Sequence, residues 1–173
     1  MAKVVLGVGS NINREENILS GLESLQEFVS AFRTSSTFES PAFGFYGANF
    51  FNLVVSGECH MSLRELAARL REIEYEHGRL PDAEKFSSRY LDIDILLYGD
   101  KCGECDGVKL PRSEILEQAY VLRPLAELEP SMCHPELNTD FDTLWAQFQG
   151  NAKLWRSDFQ VIIGSVVSNA ELA

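Results

Sequence analysis

Residues 74–98, EYEHGRLPDAEKFSSRYLDIDILLY, have the pattern of a helix end, a polar loop and a strand, and this pattern is the main indicator of the fold. Gly78 is typical of the position just past a helix C-terminus. A strand is predicted over residues 90–98, and it opens with apolar and acidic residues in alternation. Residues two apart on a strand point to the same face, so we expect Asp92 and Asp94 to lie side by side. The opposite face carries the residues expected to anchor the strand in the core, Leu91, Ile93 and Ile95.

The segments on the N-terminal side of this stretch complete a recognisable order of elements. Strands are predicted over residues 3–8, 32–38 and 51–55 from their β-branched and aromatic content. One helix is expected to start at an Asn13 cap, and a second at Ser62, where Glu65 completes a capping box. The order strand, helix, strand, strand, helix, strand predicts an α+β, ferredoxin-like βαββαβ antiparallel sheet with helices on one face.

The C-terminal part is expected to extend this domain. A hairpin is predicted around residues 103–107, followed by helices over 114–125 and 141–148 and a last strand over 159–163. The last ten residues are small and polar, and disorder is expected there. The whole chain, residues 1–173, is expected to form a single domain.

Composition narrows the classes of partner. The chain has 173 residues, of which 15 are Lys or Arg and 26 are Asp or Glu, giving a formal net charge of −11. A field of that sign disfavours nucleic acid and anionic membrane surfaces. We therefore expect small-molecule partners, no nucleic acid and no membrane, and a monomer. The sequence predicts no signal peptide and no membrane span, so a cytoplasmic location with reduced cysteines is expected.

The pair Asp92 and Asp94 is the main chemical signal. Two carboxylates on one face repel each other unless a cation lies between them, and hard oxygen ligands favour Mg²⁺. The loop before the pair carries the cations Arg79, Lys85 and Arg89, which suit the transfer of a phosphoryl-type group. Two alternatives stay open: the carboxylates could form a solvated strand face, and the Lys85 side chain could simply balance local acids.

Several motifs together carry a family resemblance. Glu74-x-x-x-Gly78-Arg79 followed by residues 89–96, RYLDIDIL, resembles the 6-hydroxymethyl-7,8-dihydropterin pyrophosphokinases of folate biosynthesis. Other pieces fall in the same order over residues 4–135: GSN at 9–11, SPAFG at 40–44, Asn52, Pro111, and AYVLRPLAE at 119–127.

The resemblance implies both a reaction and a site. The hydroxymethyl oxygen of the dihydropterin would attack the β-phosphorus of ATP and release AMP, with two Mg²⁺ held by Asp92 and Asp94. The implied catalytic residues are Arg79, Arg89, Asp92 and Asp94. The expected ATP contacts are Glu74, Arg79, Lys85, Arg89 and Arg112. The expected pterin contacts are Phe50 and Tyr120 on the two ring faces, Asn52 at the polar edge, and the backbone near Ser40 and Phe43.

This chain departs from the family pattern at phosphate contacts. Pro81 stands where the loop usually has a second arginine, Arg112 where a histidine is usual, and Gln118 where an arginine is usual. Phe86 stands where some members have tryptophan. These changes support a second hypothesis, a pterin- or nucleotide-binding homologue with little or no catalysis. A third, a plain ferredoxin-like interaction domain, leaves the acidic pair unexplained.

Cysteines offer one further candidate site. Cys102 and Cys105 form a lone CxxC that could be half of a zinc site, with Cys133 and His134 as the other half. Because a second CxxC is absent from the sequence, reduced thiols are favoured over zinc.

Overall fold

The structure, a computed structural model, describes residues 1–163 and the backbone of residues 166–167. Its N-terminal part follows the predicted order, except that the second strand is divided in two. The elements are β1 (Ala2–Ser10), α1 (Arg14–Gln26), β2 (Val29–Thr34), β3 (Phe38–Ser40), β4 (Phe50–Cys59), α2 (Leu63–Glu76) and β5 (Asp92–Tyr98).

The sheet has the ferredoxin-like strand order. Its antiparallel strands run β5-β1-β4-β3, and β2 also pairs with β4. The predicted strand over residues 32–38 is interrupted because Ser35 leaves the regular pairing. Its hydroxyl accepts the N–H of Val54 at 2.9 Å, and its own N–H bonds the Val54 carbonyl at 2.9 Å. A side chain here replaces one step of the backbone ladder.

Helices cover both faces of the sheet. The α1 and α2 helices pack on one face, where Leu91, Ile93 and Ile95 are buried as predicted. Helices α4 (Ala119–Leu128) and α5 (Phe141–Ala146) cover the other face. The prediction of helices on one face therefore holds for the βαββαβ unit, and the extension adds a layer behind it.

The capping residues predicted for α1 and α2 differ in how well they match the structure. The capping box of Ser62 and Glu65 is confirmed, and Gly78 follows α2 with φ +102°. Helix α1 starts directly after Asn13, as predicted, but the predicted side-chain cap is wrong, because Asn13 lies in the left-handed region with φ 44° and its side chain makes no capping bond to α1.

The C-terminal part contributes to both faces of the sheet and to one edge: Leu110 and Val161 are buried with α1 and α2, while α4 and α5 cover the second face. A hairpin, β6 (Gly103–Cys105) and β7 (Val108–Leu110), leads to α3 (Glu114–Glu117). Gln118, in extended conformation, separates α3 from α4, so the helix predicted over residues 114–125 is two helices. Strand β8 (Trp155–Arg156) pairs with β3 at the sheet edge. The last elements among the described residues are the paired strands β9 (Ile162–Ile163) and β10 (Val166–Val167).

Two remaining predictions concern disorder at the C-terminus and membrane-spanning helices. The last ten residues, for which disorder was predicted, lie outside the described residues, except for the backbone of 166–167. Among the described residues, the structure contains no helix with the length and hydrophobicity needed to span a bilayer.

Candidate active site

A single cavity of about 350 Å³ brings the predicted site residues together. It lies where β1, β4 and β5 meet the loops that follow β3 and α2, on the sheet face that α4 covers. Every residue predicted for the site lines it: Ser40, Phe43, Phe50, Asn52, Glu74, Arg79, Lys85, Arg89, Asp92, Asp94, Arg112 and Tyr120.

One end of the cavity is built from β4 and its neighbours. Phe50 and Asn52 are two apart on β4 and so share a face. Asn52 is 7% exposed, and its amide nitrogen donates to the Ser40 hydroxyl at 2.8 Å. Gly9 lies opposite Asn52 on β1. A Cβ at Gly9 would lie 3.3 Å from the Asn52 Oδ1 and 3.7 Å from the Phe50 ring, so this glycine leaves room for a ligand beside the amide.

Tyr120 joins this end of the cavity to the acidic end. It is the second residue of α4 and is partly buried. Burial, together with the negative charges of Glu114, Asp94 and Asp92, raises the pKa of Tyr120 to about 12. The phenol therefore stays protonated at neutral pH, and its ring provides a neutral surface next to the carboxylates.

The carboxylates of Asp92 and Asp94 are brought together by β5, as their spacing predicted. Their cross-strand neighbours on β1 are Gly9 and Gly7, which have no side chains to fill the space between the strands. Desolvation inside the cavity and repulsion from Asp92 raise the pKa of Asp94 to about 7, although Arg112 opposes the shift. The two side chains remain 36% and 38% exposed toward the cavity.

This donor set fits a magnesium ion shared with a substrate. No group of three or more His, Cys, Asp or Glu side chains within residues 1–163 has the arrangement of a metal site. Mg²⁺, however, usually takes only one or two carboxylates and completes its shell with water and phosphate oxygens. Asp92 and Asp94 supply two such oxygen ligands and a local negative charge.

Arginines balance the acidic pair on both sides. Arg79 Nη1 lies 2.7 Å from the Glu74 Oε2 and 3.6 Å from the Asp92 Oδ1. Arg112 Nη2 lies 3.3 Å from the Asp94 Oδ1. The second partner of Arg112 is Glu114, whose Oε2 lies 3.3 Å from the Arg112 Nε, and nothing in the sequence pattern distinguishes Glu114 from a surface helix residue. Guanidinium groups beside a carboxylate pair are chemically able to bind phosphate oxygens next to a cation that the carboxylates would hold.

Glu74 differs from the other predicted ATP contacts because it is 3% exposed and its oxygens are already engaged. Its Oε1 accepts the backbone N–H of Ile93 at 2.9 Å, and its Oε2 accepts from Arg79. Burial is the main cause that raises the pKa of Glu74. These contacts tie the end of α2 to β5, so Glu74 is better suited to holding Arg79 in place than to binding a ligand itself.

The guanidinium of Arg89 folds back onto its own loop. It donates to the Glu84 carbonyl and to the Ser87 hydroxyl. Its backbone N–H donates to the Asn11 Oδ1 at 2.7 Å, while the N–H of Asn11 bonds the Arg89 carbonyl at 3.0 Å. Arg89 therefore organises the loop at residues 80–88, and a direct phosphate contact would require it to exchange these partners.

Asn11 links the two loops that border the cavity. Its amide nitrogen donates to the Ala48 carbonyl at 3.1 Å and to the Ser88 hydroxyl at 3.2 Å. Across the cavity mouth, Phe43 and Phe86 make an edge-to-face contact with centroids 5.7 Å apart. The weak Gly-Ser-Asn signal thus has a structural basis: the glycine leaves space and the asparagine fastens both loops.

The zinc alternative is not supported by the arrangement of its residues. Cys102, Cys105 and Cys133 are free thiols in the structure. The His134 Nδ1 accepts the backbone N–H groups of Glu136 and Leu137, both at 3.3 Å, which is a structural role. With His134, these cysteines form no metal-type cluster within residues 1–163.

Comparison with known proteins gives consistent matches. The sequence model of the 7,8-dihydro-6-hydroxymethylpterin-pyrophosphokinase (HPPK) family matches residues 5–130. A 2-amino-4-hydroxy-6-hydroxymethyldihydropteridine pyrophosphokinase of Aquifex aeolicus is 36% identical over 78% of this chain and 85% of that protein. One of the same description from Synechocystis is 33% identical over 76% of this chain and 68% of that protein.

Longer proteins also match. A folate synthesis bifunctional protein of Chlamydia caviae is 34% identical over 74% of this chain, but the match spans only 30% of that protein. A crystal structure of wild-type HPPK-DHPS from Plasmodium falciparum matches 86% of this chain and 44% of that one, with a TM-score of 0.62 and 15% identity. At that identity the structural likeness supports the ferredoxin-like fold alone.

Proposed function

This chain belongs to the 7,8-dihydro-6-hydroxymethylpterin-pyrophosphokinase family, and we propose that it transfers diphosphate from ATP to the hydroxymethyl group of 6-hydroxymethyl-7,8-dihydropterin in folate biosynthesis. The observation that carries this proposal is one cavity that holds both a possible ring site, at Phe50, Asn52 and Tyr120, and an acidic pair flanked by arginines. An acceptor hydroxyl and a donor phosphate could therefore meet within it.

The proposed reaction is a single displacement. The hydroxymethyl oxygen bonds to the β-phosphorus of ATP while the bond from that phosphorus to the bridging α-phosphate oxygen breaks. AMP leaves with that oxygen, the acceptor carries the β- and γ-phosphates, and the hydroxyl proton is released. Catalysis of this type depends mainly on positioning and on balancing phosphate charge.

The chain's residues divide into two groups in this proposal. Phe50 and Tyr120 stack on the two faces of the pterin ring, and the Asn52 amide bonds its polar edge, together with the backbone near Ser40 and Phe43. The Ser40 hydroxyl accepts a hydrogen bond from the Asn52 amide nitrogen and so fixes the orientation of that amide. The ring is thereby held with its hydroxymethyl group toward the acidic end of the cavity.

The second group serves the nucleotide. Asp92 and Asp94 would hold two Mg²⁺ ions. When bound, Mg²⁺ would neutralise phosphate charge. Arg79, Arg112 and Lys85 contact phosphate oxygens, Arg89 does so after exchanging its loop partners, and Glu74 positions Arg79.

We also propose that residues 1–173 act as one domain, as a monomer in the cytoplasm.

The binding-only alternative is less well supported than catalysis. The chain is 36% identical, over most of its length, to a relative described as a pyrophosphokinase. The altered position 112 still carries a cation that contacts the acidic pair. These observations favour turnover in spite of Pro81 and Gln118.

The test is turnover of the purified protein with ATP, Mg²⁺ and 6-hydroxymethyl-7,8-dihydropterin. A matched acceptor with a methyl group in place of the hydroxymethyl group keeps the ring and removes the nucleophile. We expect nucleotide consumption with the first acceptor only. Tight pterin binding without nucleotide consumption would support the binding-only alternative, and no binding of either acceptor would overturn the proposal.

A further inference from the structure

A stack of three side chains lies behind the proposed ring site, on the opposite face of the sheet. The Arg14 guanidinium carbon lies 3.7 Å from the centroid of the Phe51 ring. On this same β4 residue packs Phe159, with ring centroids 5.2 Å apart and planes inclined by 13°. Phe51 is 4% exposed, so its position is determined by these neighbours and the core around it.

Phe51 is the β4 residue between Phe50 and Asn52. Because side chains alternate across a strand, these two point toward the cavity while Phe51 points to the opposite face. A change in the packing of Phe51 would therefore tilt or shift both residues proposed to hold the pterin ring. Asp92 and Asp94 lie on β5, which is separated from β4 by β1.

Arg14 connects the stack to the rim of the ring site. Its Nη1 donates to the Glu39 Oε1 at 2.8 Å and to the Asn49 carbonyl at 3.2 Å. Asn49 directly precedes Phe50, and Glu39 lies opposite Phe51 in the β3–β4 register. One guanidinium thus covers the Phe51 ring and fastens the backbone next to Phe50.

Phe159 belongs to a segment beyond the part of the chain matched by the family model, which ends at residue 130. That segment is firmly attached at the same sheet edge. Strand β8 pairs with β3, and the Gln160 side chain bonds both backbone groups of Thr37, at 2.8 and 3.1 Å. Val161 is 3% exposed in the main core. The segment therefore holds Phe159 in a fixed place behind β4.

We propose that Phe159 and Arg14 are positioning residues for the pterin acceptor, acting through Phe51 on Phe50 and Asn52. This inference rests on the proposed function, and it assigns to the C-terminal segment a role in acceptor affinity. The nucleotide end of the cavity is held separately, by the contacts of Glu74 and Arg112 with β5.

The experiment compares the wild type with Phe159→Ala, Phe159→Tyr and Val161→Ala. Calorimetric titration with the dihydropterin and with a non-hydrolysable ATP analogue gives both affinities, and turnover gives the two KM values. Phe159→Ala should weaken pterin binding and raise the pterin KM about three- to tenfold, the range expected for a lost aromatic pair. Affinity for the ATP analogue should change by less than about twofold. Phe159→Tyr keeps the ring and should restore pterin affinity.

Val161→Ala removes buried volume from the same segment but keeps all three side chains of the stack, and it should leave pterin affinity unchanged. If Phe159→Ala does not fold, Arg14→Lys serves instead: it keeps the charge, removes the planar fork, and should weaken pterin binding in the same direction. Unchanged pterin affinity in the folded variant overturns the inference, as does equal weakening in Val161→Ala or an equal loss of both ligands. A wild type that binds no dihydropterin overturns the proposed function itself, which is a distinguishable result.

Discussion

The guanidinium of Arg112 lies 3.3 Å from the carboxylate of Asp94, at the position where the family resemblance leads one to expect a histidine. The Nε of Arg112 is buried and lies 3.3 Å from the Glu114 Oε2, without the geometry of a hydrogen bond. A guanidinium at the cavity wall that is held by ion pairs can exchange one of its partners for a phosphate oxygen. This contact is why the proposal assigns Arg112 to the nucleotide.

Arg112→Ala should weaken binding of a non-hydrolysable ATP analogue by about tenfold, since a charge-assisted contact in a partly exposed site lies at the low end of about 1.5–3 kcal/mol. Binding of the dihydropterin should be unaffected. Calorimetric titration of both ligands measures this. Arg64→Ala is the matched control, because Arg64 is 81% exposed and pairs with Asp106. If Arg112→Ala weakened pterin binding alone, Arg112 would belong to the pterin site and not to the nucleotide site.

Asp94 should make stability depend on pH and on Mg²⁺. Its folded-state pKa of about 7 is above the ordinary value of 3.8, so its contribution to stability is fully present at low pH and is lost as pH rises through 7. Asp94→Asn should therefore be more stable than the wild type at about pH 8, with the gain shrinking toward about pH 5. Mg²⁺ should stabilise the wild type most at the higher pH.

Thermal unfolding across this pH range, with and without Mg²⁺, measures the effect. Asp106→Asn is a suitable control, because the Asp106 side chain is 43% exposed on the hairpin and lies outside the cavity lining. A wild type and an Asp94→Asn variant with parallel pH curves would show that the acidic pair is not electrostatically strained. Equal stabilisation of both by Mg²⁺ would argue against Asp94 as a metal ligand.

Gly9→Ala tests the ring site by filling the space beside Asn52. The added Cβ would lie 3.3 Å from the Asn52 Oδ1, so the amide must move from its position at the proposed ring edge. Pterin affinity should fall by about tenfold, equivalent to about 1.4 kcal/mol. Gly7→Ala, on the same strand, has its nearest contact with the Leu96 side chain at 3.5 Å, an ordinary van der Waals distance, and should leave pterin affinity unchanged. Equal affinities for all three proteins would remove Asn52 from the proposed site.

Glu74→Ala should destabilise the fold as well as weaken the nucleotide site. It leaves the buried N–H of Ile93 without its acceptor and Arg79 without its closest partner. Leaving a buried donor without its acceptor costs about 1–3 kcal/mol, while Arg79, which is 18% exposed, keeps its contact with Asp92. Glu74→Gln keeps an acceptor for the N–H of Ile93 and should lose less stability than Glu74→Ala. Denaturant unfolding measures both, and a Glu74→Ala protein as stable as the wild type would show that Glu74 does not hold α2 to β5.

Local patterns predicted the parts of this molecule that depend on local spacing. The alternation around Asp92 and Asp94 gave both the acidic face and the buried face, and the Ser62 capping box gave the start of α2 correctly. Contacts between distant segments were not predictable in this way. Arg89 was expected at phosphate, but nothing near it in the sequence indicates that loop carbonyls bind its guanidinium. Likewise, the second strand is divided because Ser35 bonds to Val54 of β4, a residue 19 positions further along the chain.

The most direct test of the central claim is the identity of the nucleotide formed when the wild-type protein is incubated with ATP, Mg²⁺ and 6-hydroxymethyl-7,8-dihydropterin. Phosphorus NMR separates AMP, ADP and the diphosphate ester in one sample. Attack at the β-phosphorus predicts AMP and the pterin diphosphate in equal amounts, with neither formed when the acceptor lacks its hydroxyl group. Formation of ADP and a pterin monophosphate, or no nucleotide product from a folded protein that binds both ligands, would contradict the account.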